Sequence, residues 1–292
     1  MSRHTTVAIA PSVANRTKGE RASLPGSTAI HAAKGALTLR LAQGPEEIRA
    51  CQRLRYRVFY EELSATPDLA VASRTDADRF DPICDHLVVV REGPHTTSEP
   101  IMLTDGELVG TYRLLRQEIA ERNGGFYTQD EFDVAPLLAA HPALRFLELG
   151  RSCVLRPYRT KPVVELLWQG IWNYVRAHGL DVMFGCASLE GTDPEAHAEA
   201  LTFLAESRNT PSEWRVRALP ERYVEMNRRA VVNLKTGLRA LPPLIKGYLR
   251  LGCYIGEGAV IDRQFNTIDI LIVLPVSAID ARYFTHFGKP ND

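Results

Sequence analysis

An apolar stretch in the middle of the chain, FLELGRSCVLRPYRTKPVVELLWQGIW, carries charges that a strand-to-helix junction does not need for packing. Glu148 and Arg151 interrupt the strand pattern, and a carboxylate placed there either pairs with a cation or accepts a proton during a reaction. The following turn holds three cations, Arg156, Arg159 and Lys161. Cations beside the free N–H groups of a helix N-terminus are typical of a site for phosphate or carboxylate. The junction is therefore the first candidate site.

The relative orientation of the two strand charges depends on how regular the strand is. Side chains alternate along a strand, so Glu148 and Gly150 share one face and Arg151 belongs to the other. A β-bulge at Gly150 would bring both charges to the same side. Two simpler interpretations stay open, namely a structural Glu–Arg ion pair at a strand end and a solvated basic turn.

Three more charged residues suggest that the site recognises a molecule resembling an amino acid. Arg113 lies within the apolar strand pattern LVGTYRLLR, and Asp78 and Asp81 lie in the polar segment DADRFD. Carboxylates bind amines and a guanidinium binds a carboxylate, and an amino acid presents both groups. The alternative role for the two aspartates is the capping of a turn.

The elements that must position these residues follow the order β-α-β-β-(α)-β-α-β-α-β-β. This order predicts an α/β fold with a mixed sheet and helices on its faces. Residues 1–35 are rich in Ala, Ser, Thr and Gly and show no periodicity, which predicts a disordered, mildly basic tail. Residues 36–292 then predict one domain with a C-terminal extension that begins near residue 208.

Composition restricts the classes of function. With 35 basic and 35 acidic residues, the chain has no overall field that would attract nucleic acid or an anionic membrane. The five cysteines are scattered without a metal-binding spacing, which predicts free thiols in a reducing compartment and no metal site. Cys153 is either a nucleophile beside Glu148 or, more simply, a small core residue. No apolar run is long enough to span a bilayer, so we expect a cytoplasmic protein that contacts the inner membrane at most peripherally.

Four short motifs resemble those of the autoinducer (acyl-homoserine lactone) synthases. This family is a branch of the GNAT acyltransferase superfamily that takes acyl chains from acyl carrier protein. Its motifs are an Arg-x-x-x-Phe helix, an Asp-x-x-Asp loop, a Gly-x-x-Arg-Leu strand and a Glu-x-x-Arg strand. In that order they fall here on Arg55 and Phe59, Asp78 and Asp81, Arg113, and Glu148 and Arg151. The chain departs from the family in having Ala65 about where a tryptophan is usual, and in continuing well past the family's length.

The C-terminal third is more similar to a second family of the same superfamily. The segments PPLIKGYLRLGCYIGEGAVIDRQFNTIDILIVLPV and RYFTHFG resemble the bacterial L-ornithine Nα-acyltransferases. These enzymes begin ornithine lipid synthesis and are grouped with haemolysin-like acyltransferases. The resemblance implies a GNAT-like fold in three α/β/α layers. It also implies transfer of a (3-hydroxy)fatty acyl group from acyl carrier protein to the α-amine of L-ornithine, with no permanently bound cofactor.

The resemblance implies roles for the charged residues as well. Glu148 would be the catalytic base that takes a proton from the attacking amine. The substrate-binding residues would be Asp78, Asp81, Arg113, Arg151, Arg55 and Phe59. Two alternatives stay open, an enzyme of the autoinducer-synthase type with another acceptor and a non-catalytic module that binds acyl groups or carrier protein.

The turn before the helix bears on the donor. Acetyltransferases usually have Arg/Gln-x-x-Gly-x-Gly/Ala here, whose bare backbone binds the pyrophosphate of coenzyme A. This chain has RTKPVV instead, in which Pro162 lacks an N–H group and Val164 blocks close approach. Three cations suit the single phosphodiester of an acyl-phosphopantetheine on acidic acyl carrier protein. The predicted donor-binding residues are therefore Arg156, Arg159 and Lys161.

Overall fold

The computed structural model of the chain describes residues 30–66, 70–95, 97–207, 210–229 and 233–280. Most of the predicted N-terminal tail and the closing RYFTHFG segment lie outside these residues. The described residues form one mixed sheet with helices packed against it, as the element order predicts. No helix in this part of the chain is long and apolar enough to cross a bilayer.

Strands of the described residues all join the same sheet. They are β1 (His31–Lys34), β2 (Leu37–Leu41), β3 (Asp85–Arg91), β4 (Met102–Leu103), β5 (Gly106–Arg116), β6 (Phe132–Asp133), β7 (Phe146–Val154), β8 (Val182–Glu190), β9 (Arg217–Ala218), β10 (Tyr223–Val224), β11 (Tyr254–Asp262) and β12 (Thr267–Pro275). Their order is β1-β2-β3-β5-β7-β8-β12-β11-β9-β6, with β4 beside β5 and β10 beside β11. Among these pairs, β7–β8 and β11–β9 are parallel.

Helices fill the connections between the strands. They are α1 (Gly44–Tyr56), α2 (Ala70–Ser73), α3 (Gln117–Arg122), α4 (Ala135–Ala140), α5 (Lys161–His178), α6 (Ala198–Ser207), α7 (Leu234–Ala240) and α8 (Pro243–Leu251). A π-helix, Arg57–Glu62, continues α1. The sequence places the ends of α5 correctly, because Pro162 lies in its first turn and Gly179 closes it in the left-handed conformation with φ 55°.

The two faces of the sheet differ in what covers them, and adjacent residues of β5 mark the two sides. Tyr112 faces α8, since its hydroxyl lies 3.0 Å from that of Tyr248. Arg113 faces α1 and the loop that follows it, where it contacts Asp81 at 3.2 Å. Helices on both sides make three layers. We refer below to the Tyr112 face and the Arg113 face.

The first strand lies just before the domain boundary predicted near residue 35. Strand β1 begins at His31 and forms a hairpin with β2 around Gly35, whose φ of 61° suits a tight turn. The sequence HAAK does not alternate, and Ala32 is its one buried residue. The strand is held by its pairing with β2 and by Lys34, which binds Glu165 of α5. Long-range contacts of this kind leave no periodic signal in the sequence.

The C-terminal part is integral to the sheet rather than appended to it. Strand β12 pairs with β8 along its whole length, and β11 pairs with β12. The apolar run IDILIVLPV is buried on both faces, which explains why it shows no alternation. The segment predicted as an extension therefore supplies one side of the site described next.

Candidate active site

Strands β7 and β8 lie side by side only at their beginnings. Residues 146–148 of β7 pair with residues 182–184 of β8, and the strands then separate. Gly185 comes next, and a Cβ there would lie 2.2 Å from the carbonyl oxygen of Leu149. Glycine is required at this close approach, where the strands begin to part. Beyond it, the backbone groups of β7 that point away from β5 face a gap.

A β-bulge interrupts β7 directly after Gly150, the position at which a bulge would bring Glu148 and Arg151 to one face. Arg113 pairs with Gly150 and Thr111 pairs with Cys153, so β7 has one residue more than β5 between these pairs. Arg151 adopts a φ of 50°, a conformation that is uncommon for a residue with a side chain and that often marks functional sites. The extra residue turns Arg151 to the Arg113 face, which is also the face of Glu148.

A cavity of about 270 Å³ passes through the sheet at this gap. On the Tyr112 face its wall is mostly apolar, with the hydroxyls of two tyrosines and of Ser152 as polar groups, and it includes Tyr112, Leu149, Met183, Leu244, Tyr248 and Ile272. On the Arg113 face its wall carries the charged residues among aromatic ones, and its polar side chains are Arg113, Glu148, Arg151, Ser188, Asp262 and Asp269. One cavity thus joins an apolar compartment to a polar one.

Glu148 lies in the polar compartment, at the point where the two strands part. Its Oε1 accepts a hydrogen bond from the Thr128 N–H at 2.7 Å, and its Oε2 accepts one from the Tyr127 N–H at 3.1 Å. Burial raises the pKa of Glu148, and the hydrogen bonds from Thr128 and Tyr127 oppose this effect only in part. Arg151 binds two aspartates instead, so a Glu148–Arg151 ion pair is excluded. No cation of the described residues forms an ion pair with Glu148, and a buried, hydrogen-bonded carboxylate of this kind at an open cavity is suited to accept a proton.

A closed ring of alternating charges supports the wall beside Glu148. Each aspartate bridges two arginines, and each arginine bridges two aspartates. We call this set the Arg–Asp ring, in the order Arg55, Asp76, Arg151, Asp78, Arg113 and Asp81. The N–O distances around it lie between 2.7 and 3.2 Å. Such a ring fixes three guanidinium groups in one geometry.

The electrostatics of the ring keep the carboxylates of Asp78 and Asp81 ionised. Burial by itself would raise the pKa of Asp78 and of Asp81, but the guanidiniums of Arg55, Arg113 and Arg151 outweigh it and hold both below the usual 3.8. Asp78 also accepts a hydrogen bond from the Phe80 N–H at 2.9 Å. Turn capping and ion pairing therefore occur together at these aspartates.

Arg151 is the ring residue most enclosed by aromatic side chains. Its guanidinium lies 4.6 Å from the ring centre of Tyr127 and 4.5 Å from that of Phe265. Phe265 belongs to the β11–β12 turn and meets Phe59 of the π-helix edge-on at 5.5 Å. The π-helix and this turn together cover the polar compartment, and π-helical segments are frequent at functional sites.

The structure divides the predicted substrate-binding residues into two groups. Phe59, Arg113 and Arg151 line the cavity together with Glu148. Arg55, Asp78 and Asp81 lie behind that wall, and their charged atoms are bound to one another and to Arg113 and Arg151. We therefore assign Arg55, Asp78 and Asp81 to positioning the cavity arginines rather than to contact with a substrate.

The three predicted donor-binding cations lie outside the cavity, at the exposed start of α5. Arg159 is bound to Glu62 at 2.6 Å and to the carbonyl oxygen of Val154 at 3.0 Å. Lys161 lies 3.5 Å from Glu165 and is largely exposed, and Arg156 is exposed as well. They form a basic rim on the surface.

Several site residues escaped the sequence analysis. Asp76 stands two residues before Asp78 in the same DADRFD segment, and this proximity indicates that it could belong to the site. Tyr127 and Thr128 contribute main-chain N–H groups, which no side-chain pattern reveals. Asp269 interrupts the apolar run TIDILIVLPV as Glu148 interrupts FLELG, so the same reasoning would have found it.

One group of side chains has the composition of a metal site. Ligand atoms of Glu131, Cys186 and Asp269 all lie within 4.8 Å of one another. The Cys186 thiol donates to Glu131 at 3.3 Å, and burial raises the pKa of this thiol well above its usual value. A protonated thiol is a poor metal ligand, which makes the group a weak candidate for a metal centre.

Comparison with known proteins places this geometry in a family. The family model described as an acetyltransferase (GNAT) domain matches residues 54–169. The L-ornithine N(alpha)-acyltransferase of Agrobacterium fabrum is 52% identical, with 87% of this chain and 86% of that protein covered. The chain belongs to the L-ornithine Nα-acyltransferase family. The family member from Rhodobacter capsulatus is 40% identical over 84% of this chain and 92% of its own length.

Membership of this family makes the protein an acyltransferase with a GNAT fold. Among solved structures, FeeM, an N-acyl amino acid synthase from uncultured soil microbes, has a TM-score of 0.48 and 14% sequence identity. The match covers 85% of this chain and 97% of that one. The predictions of family, fold and enzyme class are confirmed, and the alternative of a non-catalytic module is set aside.

Proposed function

We propose that the protein transfers a fatty acyl group from acyl carrier protein to the α-amine of L-ornithine. The observation that carries this proposal is the cavity between β7 and β8, with an apolar compartment on one face of the sheet and Glu148 in a polar compartment on the other. A reaction that joins a lipid chain to an amino acid needs both environments in contact. The relatives named above provide the identity of the acceptor by their names.

The acceptor occupies the polar compartment. Its carboxylate faces Arg151 and Arg113, whose positions the Arg–Asp ring fixes. Its α-amine lies within reach of Glu148, directly or through one water molecule. Ornithine arrives as an α-ammonium ion at neutral pH, so the nitrogen must lose a proton before it can attack.

The reaction is direct aminolysis of a thioester. Glu148 takes one proton from the α-ammonium group, and the nitrogen attacks the carbonyl carbon to form a C–N bond. The tetrahedral intermediate collapses as the C–S bond breaks, the thiolate takes up the second proton that nitrogen loses, and Glu148 returns its proton to solvent. General-base assistance of this kind typically contributes a factor of ~10² to 10⁴ in rate.

The gap between the strands provides the place for the thioester. Past Glu148, main-chain groups of β7 that point away from β5 have no β8 partner, so their N–H groups are available to an oxyanion. The acyl chain extends into the apolar compartment and past Met183. Met183 also lines a second, largely apolar groove of about 430 Å³ between α5 and α8, formed in part by Trp168, Trp172 and Leu251.

The turn before α5 supports acyl carrier protein as the donor. Pro162 lies in the first turn of α5, where a pyrophosphate would need N–H groups. The exposed basic rim of Arg156, Arg159 and Lys161 offers positive charge to an acidic carrier protein. Arg250 of α8 lines the groove, and we expect a single-chain product to reach the inner leaflet of the membrane through transient contact of this surface.

The donor assignment is tested by supplying the purified protein with L-ornithine and the same acyl group on carrier protein or on coenzyme A. Mass spectrometry with fragmentation then locates the acyl group on Nα or Nδ. We expect Nα-acyl-ornithine from the carrier-protein donor, with a much smaller kcat/KM for the coenzyme A thioester. An equal kcat/KM for both would contradict the donor assignment and keep the acyltransferase.

A charge-reversal pair tests the docking rim. Arg156→Glu combined with Lys161→Glu should raise KM for acyl carrier protein and leave KM for L-ornithine unchanged. Glu190→Gln at the exposed end of β8 serves as a surface control with no expected effect. An unchanged KM for carrier protein in the double variant would mean that the donor docks elsewhere.

A further inference from the structure

The polar compartment has a second carboxylate region, separate from Glu148 and from the Arg–Asp ring. Asp269 on β12 and Asp262 on β11 line the cavity from the β11–β12 hairpin. Asp269 stands opposite Ser188 in the β12–β8 register, further along β8 than the point at which Phe184 pairs with Glu148. The two carboxylate regions therefore lie at different positions along the same cavity.

Asp269 carries a buried carboxylate on the Arg113 face of the sheet. Asp269 is 6% exposed, and its carboxylate accepts a hydrogen bond from the Thr267 hydroxyl at 2.9 Å. No arginine, lysine or histidine in the described ranges forms an ion pair with Asp269, in contrast to every aspartate of the Arg–Asp ring. Burying a carboxylate without a positive partner is costly, so the folded protein holds an unmet demand for a cation at this position.

Neighbouring acidic groups increase that demand. The carboxylate oxygens of Glu131 and Asp269 lie within 4.8 Å of each other. Arg222 contacts Glu131 at 3.2 Å, but the net charge of Asp262, Asp269, Glu131 and Arg222 together stays negative. Burial, followed by repulsion from Asp262, raises the pKa of Asp269 to about 6. Burial, followed by repulsion from Asp269, raises the pKa of Glu131 to about 7. A cation bound among these groups would relieve both effects.

We propose that Asp269, aided by Asp262 and the hydroxyl groups of Ser188 and Thr267, binds the δ-ammonium group of L-ornithine. An ammonium group donates three hydrogen bonds, and this end of the cavity offers carboxylate and hydroxyl oxygens to accept them. Binding there keeps the δ-nitrogen protonated and hence non-nucleophilic, while the α-nitrogen is presented near Glu148. This inference rests on the proposed function and names the residue that selects a diamino acid.

The test compares two acceptors that differ only in the δ-amine. L-Norvaline has the carbon skeleton of L-ornithine without that amine, so the ratio of their kcat/KM values measures recognition of the δ-ammonium group. The wild-type protein should prefer L-ornithine, and Asp269→Asn should lower kcat/KM for L-ornithine by about 10- to 100-fold, the value of a hydrogen bond to a charged group. The ratio of kcat/KM for L-ornithine to kcat/KM for L-norvaline should fall by the same factor in this variant, and its melting temperature shows whether it is folded.

Asp133 is an exposed aspartate on β6, and Asp133→Asn provides the matched control. This control should leave kcat/KM unchanged for both acceptors. Equal losses of L-ornithine and L-norvaline turnover in Asp269→Asn, with an unchanged melting temperature, would overturn the proposal. Stimulation of the wild type, but not of Asp269→Asn, by Zn²⁺ or Mg²⁺ would also overturn it in favour of a metal site. Failure of the wild type to acylate L-ornithine at all would count against the proposed function instead.

Discussion

Replacing Arg55 by methionine should destabilise the protein strongly, because the Arg55 guanidinium is buried within the Arg–Asp ring and has no access to solvent. Arg55 is fully buried, and it binds Asp76 at 2.8 Å and Asp81 at 2.7 Å. Arg55→Met keeps an unbranched side chain of related shape but leaves two buried carboxylates short of one positive charge. Removing one partner from a buried ion pair typically costs about 3–5 kcal/mol.

The remaining contacts of the ring decide where in this range the loss falls. Asp76 keeps Arg151 at 3.2 Å, and Asp81 keeps Arg113 at 3.2 Å and the amide of Gln52 at 3.0 Å. We therefore expect the lower end, about 3 kcal/mol of unfolding free energy. For a chain of this size that corresponds to a fall in melting temperature of about 6–12 °C.

Urea denaturation at pH 7 measures this loss, with Arg53→Met on the exposed side of α1 as control. The control should stay within about 0.5 kcal/mol of the wild type. The pH dependence gives a second check. The folded-state pKa of Asp81 is depressed, so the stability that it contributes is present above its unfolded pKa of about 3.8 and is lost as the pH falls further. The gap between wild type and Arg55→Met should thus be full at pH 7 and narrow below about pH 4. A variant as stable as the control at pH 7 would refute this account of the ring.

Gly185→Ala should lower the free energy of unfolding by about 1–3 kcal/mol and should also lower kcat/KM, because the added Cβ would clash with the Leu149 carbonyl oxygen where the strands part. Wild-type kinetics at normal thermal stability would show that the strands part without this glycine. Cys153→Ala should retain most of the activity. Burial raises the pKa of the Cys153 thiol well above its usual value, so this thiol does not act as a nucleophile. Detection of an acyl group on Cys153 by intact mass spectrometry would contradict direct aminolysis.

The sequence was sufficient for the order of the long strands β2, β3, β5, β7, β8, β11 and β12, because these strands keep strong local patterns, whereas the short strands β1, β4, β6, β9 and β10 are absent from the predicted order. The capping of α5 between Pro162 and Gly179 and the apolar strands on either side need no tertiary information. The bulge in β7 was also predictable, because a glycine and an arginine inside an apolar strand fit a regular ladder poorly. The short strand β1 was missed because its pairing with β2, rather than its composition, makes it a strand.

The sequence could not predict which charged residues of the site pair with one another. The motifs placed Asp78, Asp81, Arg113 and Arg151 in one site, but they did not reveal that the aspartates bind the arginines rather than a ligand. That outcome depends on a loop and two strands far apart in the chain. The contribution of Asp269 depends likewise on β12 lying beside β8, a contact between distant segments.

The central claim is that Glu148 accepts the proton of the attacking amine. The pH dependence of kcat/KM for L-ornithine, measured for the wild type and Glu148→Gln with the same acyl donor, tests it most directly. Because the pKa of Glu148 is raised by burial, the rate for the wild type should fall on the acid side of neutrality through a pKa above the usual 4.5 of a glutamate. Glu148→Gln should lose about 10²- to 10⁴-fold in kcat/KM and lose that acid limb, while donor binding persists. A Glu148→Gln enzyme with wild-type rates and an unchanged acid limb would contradict the assignment.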